Sequence, residues 1–310
     1  MEKKILGKTD LSVSRLGFGS APIGFLETSS RQVAKLVGTL IDQGVNLFDT
    51  AAMYQGAEAM LGEFLKGRRD EVVLVSKCGG PDADLPGEDW SPQRITASID
   101  RSLERLGTDH LDVVMLHSCD QAVLEQGDAL GALLAARDAG KTRYLGYSGD
   151  NQPAACAAAM EAIDVVEMSI NVADQHNIKA VLPVCLEHHV GVIAKRPIAN
   201  AAWNPLNKQR GMYQEYARVY HERLKQMAIT PHELGYHGYT EVEWPEIALK
   251  FTLGIEGVDT AIVGTTSTVN AQANLEAVSK NPLREEVVTK LREAFCSAQT
   301  AEGVAWLGQR

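Results

Sequence analysis

An acid, a phenol, an amine and an imidazole stand at intervals along the first part of the chain. Asp49 ends the apolar run VNLF, and Tyr54 follows five residues later. Lys77 ends VVLVS, and His117 ends LDVVML. A phenol with a pKa of ~10 exchanges protons poorly near neutrality. A neighbouring ammonium favours the phenolate and lowers that pKa. A carboxylate beside the lysine keeps the lysine charged and oriented. An imidazole can orient a carbonyl or relay a proton. Together these groups suit carbonyl reduction, in which hydride reaches carbon while the phenol protonates oxygen. Singly, each has a plainer explanation: a capping carboxylate, a packed aromatic, a solvated lysine, a satisfied buried histidine.

The elements that would position them read as strand and helix in alternation. Eight apolar, β-rich runs are present: 15–20, 45–50, 72–77, 111–117, 142–148, 164–169, 190–195 and 259–264. Helical patterns lie between them. One runs from Ser29 to Gln43 before Gly44, one opens at Ser91-Pro92 and runs to Leu106 before Gly107, and one runs from Asp120 to Ala139 before Gly140. Serine caps, a proline at the first helical position and a glycine just past the end are start and stop signals. Strand-then-helix units imply parallel strands joined by helical crossovers. Eight such units predict a (β/α)8 TIM barrel of class α/β. GFGSAPIG, after the first strand, lacks the GxGxxG spacing of a doubly wound dinucleotide fold. In a barrel, chemistry sits at the C-terminal strand ends, so Asp49, Tyr54, Lys77 and His117 should converge on one sector of one face.

Three regions depart from the repeat. Residues 3–14 predict a β-hairpin turning at Lys8-Thr9-Asp10, closing the barrel's bottom. Residues 199–241 form a long insertion after the seventh strand, with a helix over roughly 212–227 and the patch LGYHGYT, and should overhang the top. Pro282 to Thr300 predicts an extra C-terminal helix. No linker divides the chain, so residues 1–310 are expected to form one domain.

The 310 residues carry a formal net charge of −10 and 45% hydrophobic content. That balance argues against binding a nucleic-acid backbone, and no apolar stretch approaches a membrane span. Five cysteines without CxxC spacing read as reduced thiols in a cytoplasmic protein. His117 and Cys119 stand close together but without the spacing of a zinc-ligand set, so no metal site is expected there.

The chain resembles the aldo-keto reductase family across essentially its whole length. LGFGS, FDTAAMY, VSKCG, LHS, LGYSG, AKRP and IVGTTSTVNAQANLEAV carry the resemblance. It implies that Asp49, Tyr54, Lys77 and His117 are the catalytic tetrad. Tyr54 would be the general acid, tuned by Lys77; Asp49 would anchor Lys77, and His117 would position the carbonyl. The implied cofactor is NADPH, with NADH possible, lying extended across the barrel mouth. Ser20, Asp49, Ser148 and Glu167 are implied as cofactor contacts, Ser148 and Glu167 beside the nicotinamide carboxamide. Lys195, Arg196 and Pro197 would follow the pyrophosphate, and their charge fits that role. Gly264, Thr265, Thr266 and Ser267 would meet phosphate and ribose, with Asn270 and Asn274 toward adenine. This hydroxyl-rich entry to a helix is also a physically sensible anion site. An ordinary helix cap is the alternative.

Several positions depart from the family pattern. Glu167 stands where a glutamine usually touches the nicotinamide carboxamide, and Lys195 replaces a stacking aromatic. GYSGDN leaves open whether Asp150 or Asn151 takes the place of the usual asparagine. Gly264 and Asn270 replace cations that many NADPH-dependent members set near the 2′-phosphate. Trp90, Trp203 and Tyr213 fall in candidate rim loops, where they could line a substrate pocket or anchor the loops. The expected partner is a small carbonyl or alcohol substrate. Two other classes stay open: a non-catalytic regulatory subunit that keeps the cofactor, as the potassium-channel β-subunits do on this fold, and a Schiff-base barrel enzyme using Lys77.

Overall fold

The chain opens with a two-stranded antiparallel hairpin, β1 (Lys3–Ile5) and β2 (Ser12–Ser14), paired Lys3 to Ser14 and Ile5 to Ser12. The turn is fixed by Thr9, whose Oγ donates to the Leu6 carbonyl at 2.7 Å and accepts from the Leu11 amide at 3.1 Å. The computed structural model describes residues 1–310 apart from Glu27, Gln55, Tyr239 and Arg310, and apart from the side chains of residues 240–242. Tyr239 of the LGYHGYT patch therefore lies outside the described residues.

Eight parallel strands follow: β3 (Leu16–Gly19), β4 (Leu47–Asp49), β5 (Val73–Cys78), β6 (Leu111–His117), β7 (Thr142–Ser148), β8 (Val165–Ser169), β9 (Gly191–Lys195) and β10 (Thr260–Val263). They pair in chain order and close β10 onto β3, which makes the predicted (β/α)8 barrel. The helices pack outside, begun and ended by the residues the sequence marks. Ser29 and Ser91 cap their helices by accepting from the Gln32 and Arg94 amides, each at 3.3 Å. Gly107 ends the second of these at φ 62°, a left-handed conformation that glycine adopts without strain. The helix predicted over 120–139 is instead two, Gln121–Gln126 and Asp128–Asp138, broken at Gly127 with φ 86°. The 199–241 insertion holds the helix Tyr213–Met227, and the C-terminal helix is Glu285–Glu302.

The hairpin plugs the bottom of the barrel. Leu6, Leu11 and Val13 are buried against the interior residues Leu47, Val73, Val75, Val113, Met115, Val165, Ile193 and Ile262. The fit is backbone-close: a Cβ on Gly7 would fall 2.1 Å from the Gly191 nitrogen. Strand side chains alternate with period two, so whatever follows an inward apolar residue by two positions also faces inward. Leu47 is followed by Asp49, Val75 by Lys77, Met115 by His117, Val165 by Glu167 and Ile193 by Lys195. The same alternation that builds the apolar core therefore delivers a ring of polar residues to the C-terminal mouth.

Candidate active site

Lys77 lies at the centre of that ring, with its side chain 1% exposed. Its ammonium donates to Asp49 and, at 3.1 Å, to the Thr50 carbonyl, and it lies 3.3 Å from the Glu167 carboxylate. Lys77 Nζ also sits 5.5 Å from the centroid of the Tyr54 ring, and the Tyr54 ring meets the His117 ring edge-on at 6.1 Å. The four residues expected to converge do so. Register explains the rest of the floor: His117 pairs across to Ser148, and Ser148 to Glu167. Ser148 Oγ donates to Glu167 at 3.1 Å.

Electrostatics fixes the protonation of the group. Burial disfavours the Lys77 ammonium, but the carboxylates of Asp49 and Glu167 outweigh it and hold Lys77 above its ordinary range. Burial, then the charge of Glu167, pushes the Asp49 carboxyl well above the usual carboxylate range, against the pull of Lys77. Burial pushes Tyr54 up to about 12, although Lys77 pulls it down. The expectation that Lys77 lowers the phenol overall is thus reversed here: desolvation is the larger effect, and Tyr54 is a fully protonated donor at neutral pH. Burial, then Lys77, Lys195 and Arg196, keeps the His117 imidazole well below its usual pKa and therefore uncharged.

A cavity of about 570 Å³ opens over this floor. Asp49, Tyr54, His117, Ser148, Glu167, Lys195, Arg196 and Pro197 line it, together with Gly264, Thr265, Thr266, Ser267 and Asn270. Ser267 caps the helix Thr268–Ser279 by accepting from the Asn270 amide, and Thr265 Oγ accepts from the Ser267 amide at 3.0 Å. Thr266, Ser267 and Asn270 bring the N-terminus of that helix, with its unpaired outer amides, to the cavity lining, and such a terminus is a ready anion site. Gly264 is glycine for a steric reason, since a Cβ there would lie 2.6 Å from Pro22 Cγ.

Some expected contacts stand elsewhere. Ser20 and Asn274 are buried behind the cavity wall rather than lining it. Trp90 is not a lining residue: its amide donates to the Gly79 carbonyl at 2.7 Å and its ring packs on Gly79. Trp203 is not one either; it stacks on Trp244 at 5.9 Å and 11°, anchoring the insertion to the following helix. An aromatic in a loop can face the pocket or the protein, and spacing alone does not choose. Tyr213 does line the cavity, as do Phe25, Met53, Ser118, Lys208, Arg210 and Tyr216, which sequence reasoning did not single out. Phe25, packed edge-on to Tyr54 at 5.5 Å, was signalled only by its place just past the first barrel strand.

Neither Asp150 nor Asn151 replaces the usual asparagine in the cavity wall. Asp150 accepts from the Ser169 amide at 2.7 Å and pairs with Lys195 at 3.1 Å. Asn151 holds the C-terminal tail, donating to the Gly308 carbonyl at 2.9 Å. That tail also takes up part of Arg196, whose guanidinium donates to the Gln309 carbonyl and, at 3.0 Å, to Ser169.

A closed eight-stranded barrel with a buried lysine, two acids, a phenol and an imidazole at its C-terminal mouth defines a barrel oxidoreductase. Comparison with known proteins agrees: the Aldo/keto reductase family model matches residues 15–295. The chain belongs to the aldo/keto reductase family. It is 28% identical to an L-galactose dehydrogenase of Arabidopsis thaliana, over 90% of this chain and 89% of that protein. It is 27% identical to a D-threo-aldose 1-dehydrogenase of a Pseudomonas species, over 86% of this chain and 89% of that protein. The holo form of an aldo-keto reductase from Bacillus halodurans superposes with a TM-score of 0.77 at 27% identity, covering 95% of this chain and 96% of the other. Among the described residues no helix is long and apolar enough to cross a membrane.

Proposed function

We propose that this protein interconverts a small carbonyl compound and its alcohol with a nicotinamide dinucleotide, Tyr54 acting as the proton donor to the carbonyl oxygen. The observation that carries this reading is the Lys77 ammonium, held by buried carboxylates directly beside the Tyr54 ring. The residues present fit the cofactor. A hydroxyl-lined helix N-terminus and the proton donor line the same cavity, and Glu167 presents to it a buried oxygen without a hydrogen-bond partner among the described residues. When bound, the dinucleotide supplies or accepts the hydride.

The protein's own groups do the rest. Neutral His117 donates a hydrogen bond to the carbonyl oxygen and fixes its position. Tyr54 shares that oxygen and transfers its proton as negative charge develops there, and Lys77 steadies the phenolate left behind. Asp49 keeps Lys77 charged and in place. A Schiff-base role for Lys77 fits poorly, because a lysine paired with two carboxylates and held above its ordinary pKa is not a free amine. The complete tetrad favours an enzyme over a purely regulatory subunit.

NADPH is the usual cofactor implied by the family, but Gly264 and Asn270 offer no cation to a 2′-phosphate, so NADH is retained beside it. The names of the two sugar-oxidising relatives, and the tyrosine hydroxyls of the lining, direct the substrate search to aldoses. The test is a panel of aldehydes, ketones and sugars run in both directions with both cofactors, followed at the absorbance of the reduced nicotinamide. Turnover of at least one carbonyl–alcohol pair supports the reading. Tight nucleotide binding with no turnover across the panel would favour the regulatory alternative.

A further inference from the structure

Glu167 is an acid where the site has little cation to spare. It lies on β8 between Ser148 of β7 and Ile193 of β9, with its side chain 3% exposed. One carboxylate oxygen accepts from Ser148; the other has no hydrogen-bond partner among the described residues and faces Lys77 at 3.3 Å. Lys77 is already paired with Asp49. Two buried carboxylates thus share one ammonium. Of the next cations, Lys195 is paired with Asp150 at 3.1 Å, and the Arg196 guanidinium turns to the Gln309 carbonyl, Ser169 and the Tyr216 ring. The His117 imidazole is uncharged. With two carboxyl groups to one ammonium, Asp49 is driven well above the usual carboxylate range, toward holding a proton, and a cation that reaches this desolvated floor competes with that proton for the second negative charge.

Only one kind of cation is delivered there by the proposed reaction, on which this inference rests. Hydride transfer next to Tyr54 and His117 requires the nicotinamide ring to lie over this floor, which Ser148 and Glu167 line. The ring is neutral when reduced and carries a positive charge when oxidised. We propose that the Glu167 carboxylate makes this protein bind the oxidised dinucleotide more tightly than the reduced one. By linkage, the bound reduced form is then a stronger hydride donor than the free one, and the oxidised product is the form the resting protein retains. A glutamine at this position would still accept from Ser148 but would carry no charge, so the role assigned to Glu167 is electrostatic rather than structural.

The experiment measures Kd for NAD+, NADH, NADP+ and NADPH at neutral pH, by calorimetry and fluorescence, on the wild-type protein and on Glu167→Gln. For the nucleotide pair it accepts, the wild type should bind the oxidised form more tightly. Glu167→Gln should weaken the oxidised form by about tenfold and leave the reduced form within about twofold, as expected for one charge removed a few ångströms from another in a partly screened site. Wild-type protein that binds the reduced form equally or more tightly overturns the inference even if the variant fails to fold. A well-folded variant with an unchanged oxidised-to-reduced ratio also overturns it, while leaving the cofactor reading intact. If no nucleotide binds either protein, the cofactor reading falls and this inference falls with it.

Discussion

The two mouths of the barrel treat buried acids in opposite ways. At the bottom, Asp112 opens β6 and is 4% exposed. It accepts from Arg69 at 2.9 Å, from Arg143 at 3.0 Å and from the Leu74 amide at 2.8 Å. One acid has two guanidinium groups and a backbone donor. At the top, Asp49 and Glu167 share a single ammonium. Below, the hairpin seals an apolar interior; above, the strands end in a polar floor under an open cavity. Bottom charges are satisfied within the fold, so they stabilise it and ask for nothing more. Top charges are left short of partners, which is unfavourable for folding and is expected where a ligand completes the site.

That contrast breaks first at Tyr54. Tyr54→Phe keeps the ring that packs on Phe25 and His117 and removes only the proton donor. Positioned acid catalysis contributes ~10²–10⁴-fold, so turnover should drop by about that range while nucleotide affinity and the unfolding midpoint stay near wild type. Stopped-flow and steady-state rates on a good substrate check it. A folded variant that turns over at the parent rate would remove the phenol from the mechanism and leave His117 as the next donor.

The bottom should respond in the other currency. Leu6 is fully buried between the hairpin and β9. Leu6→Ala should lower the denaturant-derived stability by about 2–5 kcal/mol, the usual cost of a truncated core leucine. The turnover of the folded fraction should not change. If kcat fell with stability, the separation of a structural mouth from a chemical mouth would be wrong.

The sequence carried more of the top than of its surroundings. Asp49, Lys77 and His117 each follow an apolar run, and in a barrel the end of such a run faces the active mouth, so their convergence was legible from pattern alone. The direction of the Tyr54 shift was not, because burial depends on what Phe25 and the insertion bring over the ring. Nor was the C-terminal tail. Trp306 is buried, and Gln309 reaches Arg196 and Asp174 across more than a hundred residues. A short segment without periodicity gives no signal for such contacts. Trp90 and Trp203 failed as pocket residues for the related reason that packing partners distant in sequence, Trp244 among them, decide which way a loop aromatic turns.

That tail rests on a third top-face acid and gives a pH test. Asp174 Oδ2 accepts from the Gln309 amide at 3.0 Å and from the Tyr220 hydroxyl at 2.9 Å. Burial first, then the charge of Asp150, raises its pKa to about 6 from 3.8. A carboxyl raised on folding binds its proton more readily in the native state. Its contribution is therefore fully present below the unfolded pKa and is lost as pH rises through the folded one. Asp174→Asn keeps an acceptor for both donors and removes the titration. Stability of the variant relative to wild type should rise by about 2–3 kcal/mol between pH 4 and pH 7, most of it below pH 6. Parallel curves for the two proteins would mean that Asp174 stays charged or protonated throughout.

The smallest expected effect is the sharpest test of the cofactor end, because it separates folding from binding at one residue. Ser267 caps the helix Thr268–Ser279 by accepting from the Asn270 amide at 3.3 Å. Aspartate is as good a cap as serine and interacts favourably with the helix N-terminus. Ser267→Asp should therefore leave thermal stability unchanged, to within about 0.5 kcal/mol. The new carboxylate would nevertheless face the phosphates of a dinucleotide lying along residues 264–270. At a partly exposed site, like-charge repulsion of about 1 kcal/mol is reasonable, so nucleotide affinity should fall by severalfold and recover in part at high salt. Ser267→Ala reverses the pattern: it removes the cap, costs about 1 kcal/mol of stability, and adds no charge to repel phosphate. If Ser267→Asp bound the nucleotide as tightly as wild type at low salt, the phosphates would have to lie away from this helix, and Lys208 and Arg210, which also line the cavity, would be the next place to look for them.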